Sequence, residues 1–593
     1  MPLTLANGEI RNWTVRKIGV VGPGIVGMPM AALLADAHIR VGTEEPAGVT
    51  IVQRDSPTSG WKVDAINAGR CPIQGVEPEL DIIVQRTVKD GLLRGTHDPE
   101  ELRDADVVLI CAQTDKKGFA PDYGPLFAAL ESLADALKEK PADNIPLIIF
   151  ESTLAPSTLG TSIREYFEAH DFRDGQDILL GFSPNRVMPG RLVERVRSSD
   201  KLVSGLLPIT PSLIETIYSR IVTQGTLLKT NALTAEIVKT TENAYRDVRI
   251  ALTSEVAHHC DLYNIDFFQL REAANHKLHQ ADGASFSSSA IPSGGFLIPT
   301  IGVGGHCLPK DGILLLWRRL ESHENGHPSQ ILQARRINDD SPRRVIRLAE
   351  KLVGSLHRRQ IALLGAAYRG NSEDTRNSPS LTLAKLLLEM GARVTIHDPY
   401  VRPDDQNLTK FGLHGYFSRS LSDTLRNADI LIACTPHDAY RTELDRLIGL
   451  APSLKGVLDG CNLWSQSEID ARLPYAGIGR GAQAPSPGLV DYVIRAFRVV
   501  EKAFAREVYE TVAFLNRRYA DSEFSRVDFR EVKRLAATCP TGCQLTDEFE
   551  IEHLEPAHGF VLTLVEQANS ETTGEHDADE HANLAVSRLD LVR

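Results

Sequence analysis

Lys17-Ile18-Gly19-Val20-Val21-Gly22-Pro23-Gly24-Ile25-Val26-Gly27, followed by Met28 to Ala37, is the stretch on which the fold turns. The first five residues read as a short apolar strand, and the last ten as a helix. Between them stands G-x-G-x-x-G. That pattern is weak alone, but a glycine turn between strand and helix lets a pyrophosphate approach a helix N-terminus closely. Gly22, Gly24 and Gly27 are therefore assigned to a dinucleotide.

Outward from this turn the alternation continues. Apolar strands are expected at Val49 to Gln53, Ala105 to Cys111, Leu147 to Phe150 and Ile178 to Phe182, with helical stretches between several of them. This is the pattern of a parallel doubly wound sheet. At the end of the second strand Asp55 is the nearest acid for a ribose 2'-hydroxyl, which favours NAD. Arg54 before it would instead suit the 2'-phosphate of NADP.

A second alternation starts at Gln360 to Gly365, runs through a helix at Ser380 to Met390, and continues with strands at Ala392 to His397, Ala428 to Cys434 and Lys455 to Asp459. Its first loop, Ala366 to Pro379, is too long for a dinucleotide turn. It carries Arg369 and Arg376, which suit a phosphate or an interdomain ion pair. Between the two alternations, Thr230 to Tyr263 holds no proline or glycine and reads as one helix of about 50 Å. Lys239 and Asn243 are four apart and share a face. They could meet one ligand, or simply be a solvated polar face.

Gly302-Val303-Gly304-Gly305-His306-Cys307-Leu308-Pro309-Lys310-Asp311 carries covalent chemistry in its composition. Glycines let backbone approach a substrate, a neighbouring cation favours a thiolate, and a carboxylate can manage the water that releases an intermediate. A lone cysteine is more often a small core hydrophobe.

The bulk numbers narrow the class. A chain of 593 residues needs several domains. With 42% hydrophobic residues, 24% charged and a net charge of -13, it is of ordinary globular composition. No basic stripe with interleaved aromatics suggests nucleic acid. No signal-peptide h-region or apolar run of membrane length is found, so no membrane partner and a cytoplasmic location are expected. Eight scattered cysteines make no disulfide framework.

Six motifs together resemble the UDP-glucose/GDP-mannose dehydrogenase family, over roughly residues 15 to 482. They are GPGIVG at 22–27, ESTLAP at 151–156, SPNRVMPG at 183–190, AEIVKTTENAYRDVRIALTSE at 235–255, GVGGHCLPKD at 302–311 and DTRNSP at 374–379. The fold so implied is α/β: two Rossmann-like doubly wound domains joined by a long central helix, plus a mainly helical C-terminal extension. The divisions are 1–215 for NAD, 216–335 for the central helical part with the cysteine, 336–482 for the nucleotide sugar, and 483–593 for the extension.

The resemblance implies two NAD-dependent oxidations of a UDP-sugar C6 alcohol to the acid, through a thiohemiacetal and a thioester on Cys307. It implies that Lys239 stabilises oxyanion charge, Asp311 handles protons and water, and Thr153 and Asn243 hold water and the reacting oxygen. Thr114 and Arg376 are placed with the cofactor. Asn185, Phe296, Lys310 and Arg369 are placed with the substrate, Lys310 also being a possible thiolate partner. No metal is implied, and a homodimer or higher oligomer is.

One departure matters. Pro184-Asn185 replaces the family's usual Pro-Glu, and an amide cannot take a proton from attacking water, which puts thioester hydrolysis in doubt. His306 and the Val187 to Gly190 segment resemble the branch acting on UDP-N-acetylhexosamines, while Pro309-Lys310-Asp311 resembles the UDP-glucose and GDP-mannose branches. The N-acetylhexosamine reading, UDP-N-acetylmannosamine or UDP-N-acetylglucosamine, is preferred to UDP-glucose. His306 could also be a packed turn residue. A nucleotide-sugar-binding regulatory protein and a generic hydroxyacid dehydrogenase are the rivals from other classes.

Beyond Gln483 the resemblance ends. Phe497, Val500, Phe504 and Val508 make one apolar helical face, expected to pack on the main body or on a second subunit. Cys539, Cys543, His553 and His558 suggest zinc weakly, their spacing being shorter than a finger requires. The tail, Ser570 to Arg593, is polar and acidic, and its first half at least is expected to be poorly ordered.

Overall fold

The glycine turn opens an eight-stranded sheet. In chain order its strands are β1 (Lys17–Val21), β2 (Gly48–Val52), β3 (Leu93–Thr96), β4 (Val107–Ile110), β5 (Leu147–Phe150), β6 (Leu179–Phe182), β7 (Lys201–Gly205) and β8 (Leu227–Asn231). Across the sheet they lie β8-β7-β6-β5-β4-β1-β2-β3. Neighbours pair in parallel except β6 with β7. Six of these strands have the doubly wound dinucleotide order, which puts the β1 turn at the switch point. β4 and β5 are fully buried, and accordingly read as unbroken apolar runs. β3, Leu-Arg-Gly-Thr at the sheet edge, was not expected, because its exposed Arg94 leaves little hydrophobic pattern.

The computed structural model describes residues 2–547, apart from 5–7, 58, 74–76, 141–143, 188, 283–294, 323–328, 442–443, 465–468, 470–472 and 540–541. The tail and the two histidines at 553 and 558 lie outside the described residues. Helix α1 (Gly27–Asp36) follows the glycine turn. The long central helix α2 (Ala232–Tyr263) starts where the Asn231 side chain accepts from the Thr234 N–H, and stops at Asn264 in the left-handed region. Helices α3 (Phe267–Asp282), α4 (Leu308–Glu321) and α5 (Gln330–Val353) complete the middle of the chain.

A second sheet is formed by β9 (Gln360–Leu364), β10 (Arg393–His397), β11 (Phe417–Ser418), β12 (Ile430–Ala433), β13 (Gly456–Asp459) and β14 (Tyr475–Gly477). Its order is β11-β10-β9-β12-β13-β14, all parallel. Helix α6 (Pro379–Glu389) follows the long first loop. The fold is therefore the expected α/β architecture of two doubly wound units, parallel but for the β6–β7 pair, with a long helix between them.

The extension forms helices α7 (Pro487–Tyr519) and α8 (Phe529–Ala536). Its apolar face packs on the main body. Phe497 lies 5.3 Å from Phe296 and Phe504 5.5 Å from Tyr245, centroid to centroid. Polar contacts fix it too: Tyr245 donates to Glu501 (2.9 Å), and Glu507 accepts from the amides opening α5. The buried guanidinium of Arg186 joins Glu242 on α2 to Thr538 (2.9 Å) and to the Leu535 carbonyl (3.2 Å) in the extension. Most of α2 is consequently buried.

The last turn of α2 carries a pH-sensitive group. Burial pushes the Asp261 carboxyl up to about 7, although the Gly479 amide donates to it at 2.8 Å. The carbonyl end of the helix dipole acts in the same direction. The folded chain thus holds a proton that the unfolded chain releases above the ordinary aspartate range. Stability falls as pH rises from about 4 to about 7, by at most about 1.4 kcal/mol per unit from this group. In thermal melts, Asp261→Asn is expected to flatten this decline and to melt higher than the parent at pH 8. An unchanged slope would contradict the assignment.

Candidate active site

Cys307 caps the N-terminus of α4, and its carbonyl accepts the amides of Lys310 (3.1 Å) and Asp311 (2.9 Å). The cysteine is half-buried, whereas Lys310 and Asp311 are buried. The loop before it is clasped by the first loop of the second sheet. Gly305 donates to the Arg376 carbonyl (2.8 Å), and the Asn377 amide to the Gly305 carbonyl (3.0 Å). A Cβ on Gly304 would fall 2.3 Å from the Cβ of Tyr368, and Gly305 holds φ +85°. The close approach these glycines permit is thus to Tyr368, not to an open cleft.

The face of α2 expected to carry Lys239 and Asn243 is not solvated. Lys239 is buried with no hydrogen bond or ion pair to any described residue, and Asn243 donates to the Asp311 carboxylate (Oδ2, 2.6 Å). The other oxygen of Asp311 accepts the Lys310 ammonium (2.5 Å). Lys310 is thus paired with the neighbouring carboxylate, which corrects its reading as an unshared cation for the substrate, although it still lines the cleft between the two halves.

His306 turns its Nε2 to the Thr114 carbonyl. A carbonyl only accepts, so that nitrogen carries the proton. Burial, with Lys310 and Arg376 adding, depresses the imidazole to about 4, leaving it neutral. It is a packed turn residue. Thr114 in turn donates to the Thr153 carbonyl (2.8 Å), which ties the first sheet's loops to the cysteine loop.

Arg376 is held bidentately by Asp374 (2.8 and 2.6 Å) within electrostatic reach of Cys307. Arg369 is half-buried and lies within reach of Glu77 from the first half of the chain. Between these parts opens a cleft of about 310 Å³ whose lining includes Asp115, Val303, Lys310, Asn377 and Lys410.

Phe296 is a further correction. Its ring is buried under Phe497 of the extension, and its backbone is held by Asn275, so it offers no free face to a substrate. The sequence of α7 alone does not reveal which ring its apolar stripe covers.

Asn185 is fixed by a carboxylate that the sequence reading quoted but did not single out. Its amide nitrogen donates to Glu151 (3.3 Å), while its oxygen accepts the Arg186 N–H (3.1 Å). Glu151 also accepts from Lys201 (2.8 Å) and Tyr218 in a buried cluster. Membership of ESTLAP was the one available signal. Nothing local marks Lys201, the first residue of a fully buried strand.

The residues after β1 fit a dinucleotide. Gly22 holds φ +98°, and a Cβ on Gly27 would fall 2.0 Å from the Gly22 carbonyl oxygen. A Cβ on Gly24 would meet no atom within 4 Å, so the turn presents bare backbone to open space before α1. Asp55 is exposed just beyond β2, where a ribose hydroxyl can be reached. Among the described residues no group of three or more His, Cys, Asp or Glu is placed to hold a metal, and Cys543 is buried. No described helix is long and apolar enough to cross a membrane.

Comparison with known proteins agrees with this arrangement. Residues 16–222, 233–340 and 362–466 match the NAD binding, central and UDP binding domains of the UDP-glucose/GDP-mannose dehydrogenase family. The UDP-N-acetyl-D-mannosamine dehydrogenase of Pyrococcus horikoshii is 31% identical over 469 residues, 78% of this chain and 99% of that protein. The NDP-N-acetyl-D-galactosaminuronic acid dehydrogenase of Ralstonia nicotianae is 29% identical, over 77% of this chain and 98% of that protein. The solved structure of the UDP-D-ManNAc dehydrogenase from Pyrococcus horikoshii superimposes with a TM-score of 0.65 at 30% identity, over 78% of this chain and 99% of that one.

Proposed function

The chain belongs to the UDP-glucose/GDP-mannose dehydrogenase family and carries its NAD-binding domain, and from that premise we propose that it oxidises C6 of a UDP-N-acetylhexosamine to the carboxylate. UDP-N-acetylmannosamine is the favoured substrate and UDP-N-acetylglucosamine the next. In this reading 1–215 holds NAD, 216–335 supplies the cysteine and 336–482 holds the nucleotide, while 483–593 is an added piece.

The observation that carries the proposal is the bond from Asn243 of the long helix to Asp311, four residues after Cys307 at the head of α4, with Lys239 buried one turn before Asn243 and without a partner among the described residues. Bound NAD supplies a hydride acceptor for each of the two oxidations. Asp311, or water it holds, takes the alcohol proton, and Lys239 neutralises the oxygen as charge develops. The Cys307 thiolate adds to the aldehyde carbon to give a thiohemiacetal. Loss of a second hydride and a proton gives the thioester. Water then adds, the C–S bond breaks, and the thiolate and acid are restored. Thr153 and Asn243 orient the water and the reacting oxygen.

Asn185 cannot act as base and is held by Glu151 and the Arg186 amide, so activation of the hydrolytic water falls to Asp311. Substrate choice draws its support from relatives named for N-acetylated sugars. The test is to incubate the protein with NAD and a panel of UDP- and GDP-sugars and to measure NADH formed per sugar consumed. Two NADH per sugar is expected, with a UDP-N-acetylhexosamine preferred. One per sugar, or two per enzyme with a sugar adduct in the intact mass, would mean that the sequence stops short of hydrolysis. Reaction with UDP-glucose alone would overturn the substrate, and no reaction on any sugar would leave a binding protein.

A further inference from the structure

The apolar face of α7 is interrupted by an acid. Phe497, Glu501, Phe504 and Val508 lie at i, i+4, i+7 and i+11, and the packing that covers the three apolar side chains nearly covers the carboxylate with them. A buried acid needs partners. Glu501 accepts from the Tyr245 hydroxyl of α2 (2.9 Å) and from Arg498 (2.9 Å). Burial pushes its carboxyl up, and Tyr245 and the Arg249 guanidinium draw it back. An acid of the extension thus stands within electrostatic reach of a buried cation of the long helix.

Arg249 joins the two to the middle of the chain. It donates to the Tyr245 hydroxyl (3.2 Å) and to the Gly295 carbonyl, and its guanidinium lies over the rings of Tyr245 (5.3 Å) and Phe497 (5.0 Å). Phe296 sets its ring against Phe497 (5.3 Å) while Asn275 holds its backbone, and Thr253 accepts the Leu297 amide (3.0 Å). Residues 295–297 are therefore an anchor built from α2, α3 and α7.

Cys307 stands ten residues further on. The chain between passes the second sheet, where Asn462 donates to the Pro299 carbonyl (3.0 Å) and Ile301 crowds Gly460, and it ends on the clasp of Gly305 with Arg376 and Asn377. The cysteine loop is thus slung between two anchors, and a reacting group is placed only as well as its supports. One anchor depends on the extension. Without Phe497 and Glu501, Phe296 loses its cover and Arg249 loses a nearby opposite charge.

We propose that Phe497 and Glu501 of the C-terminal extension are positioning residues for Cys307, acting through Arg249 and Phe296 on the segment that carries the cysteine loop. The inference rests on the nucleotide-sugar reading above in taking Cys307 as the reacting thiol.

The test compares the full chain with Phe497→Ala, Phe497→Leu and Glu501→Gln, and with Val512→Ala, which thins the packing of α7 elsewhere. The readouts are kcat and KM with UDP-N-acetylmannosamine and NAD, the melting temperature, and the rate at which iodoacetamide alkylates Cys307, followed by peptide mass spectrometry with Cys71 as internal reference. Phe497→Ala and Glu501→Gln are expected to lower kcat by about 10- to 100-fold, the scale of a small misplacement of a reacting group, with KM for NAD unchanged. Alkylation of Cys307 relative to Cys71 should rise severalfold as the loop loosens. Phe497→Leu should recover part of both effects, and Val512→Ala should lower the melting temperature while kcat and alkylation stay at the parent values. Parent kcat and alkylation in both Phe497→Ala and Glu501→Gln overturn the positioning role, whatever the melting temperature. Equal changes in Val512→Ala make the effect one of general stability and overturn it as well. A parent that oxidises no sugar removes the nucleotide-sugar reading, and alkylation of Cys307 still decides the positioning role. Phe497→Leu and Glu501→Gln carry the test if the alanine variant fails to fold.

Discussion

Cys307→Ala is expected to lose acid production by more than about a thousandfold, read as uronate formed per enzyme by mass spectrometry. In the proposed scheme Cys307 is the group that captures the aldehyde, and without a covalent adduct the second hydride must leave from a free aldehyde or its hydrate. The first oxidation needs Lys239 and Asp311 but not the thiol, so a single turnover should still form some NADH. NADH per sugar should then fall from two towards one, with aldehyde trapped by added hydroxylamine. Fold stability should change little, since the half-buried sulfur makes no hydrogen bond within the described residues. Unchanged acid production in this variant would remove the covalent scheme.

Lys239→Met should split two properties that usually move together. The buried ammonium has no partner among the described residues, so replacing it with an apolar side chain of similar length removes a desolvated charge. Stability is expected to rise by about 1 to 4 kcal/mol, seen as a higher melting temperature. Activity should fall by about 100- to 1,000-fold in kcat, because the cation counts most when the reacting oxygen carries charge in a site shielded from water. KM for the sugar should move less. A variant that is both less stable and nearly as active would mean that Lys239 holds the helix in place instead of serving the reaction.

The same contrast separates the cations of this site. Lys310, next in sequence to Asp311, is matched by it and is buried. Lys239, 72 residues from Asp311, has no partner among the described residues. The resemblance placed Lys310 with the substrate or the thiolate, and in the folded molecule the adjacent carboxylate pairs with its charge. The resemblance placed Phe296 with the sugar, and in the folded molecule a helix 200 residues later lays Phe497 against its ring.

What the sequence determined by itself was the local grammar. The two series of strands, the glycine turn after β1, the length of α2 and the cysteine at the head of α4 are all written within short windows, because apolar period, turn chemistry and capping act between near neighbours. The order of strands across each sheet, with the one antiparallel pair of the first, came from the tertiary structure. Only the tertiary structure decided which of the motif's charged groups remain available. Asp311 is shared between Lys310 and Asn243, Asn185 is pinned by Glu151, and Arg186 clamps the extension against α2. Each of these outcomes depends on charge matching and desolvation among groups brought together from distant parts of the chain, and no local pattern records which partner a buried charge will find.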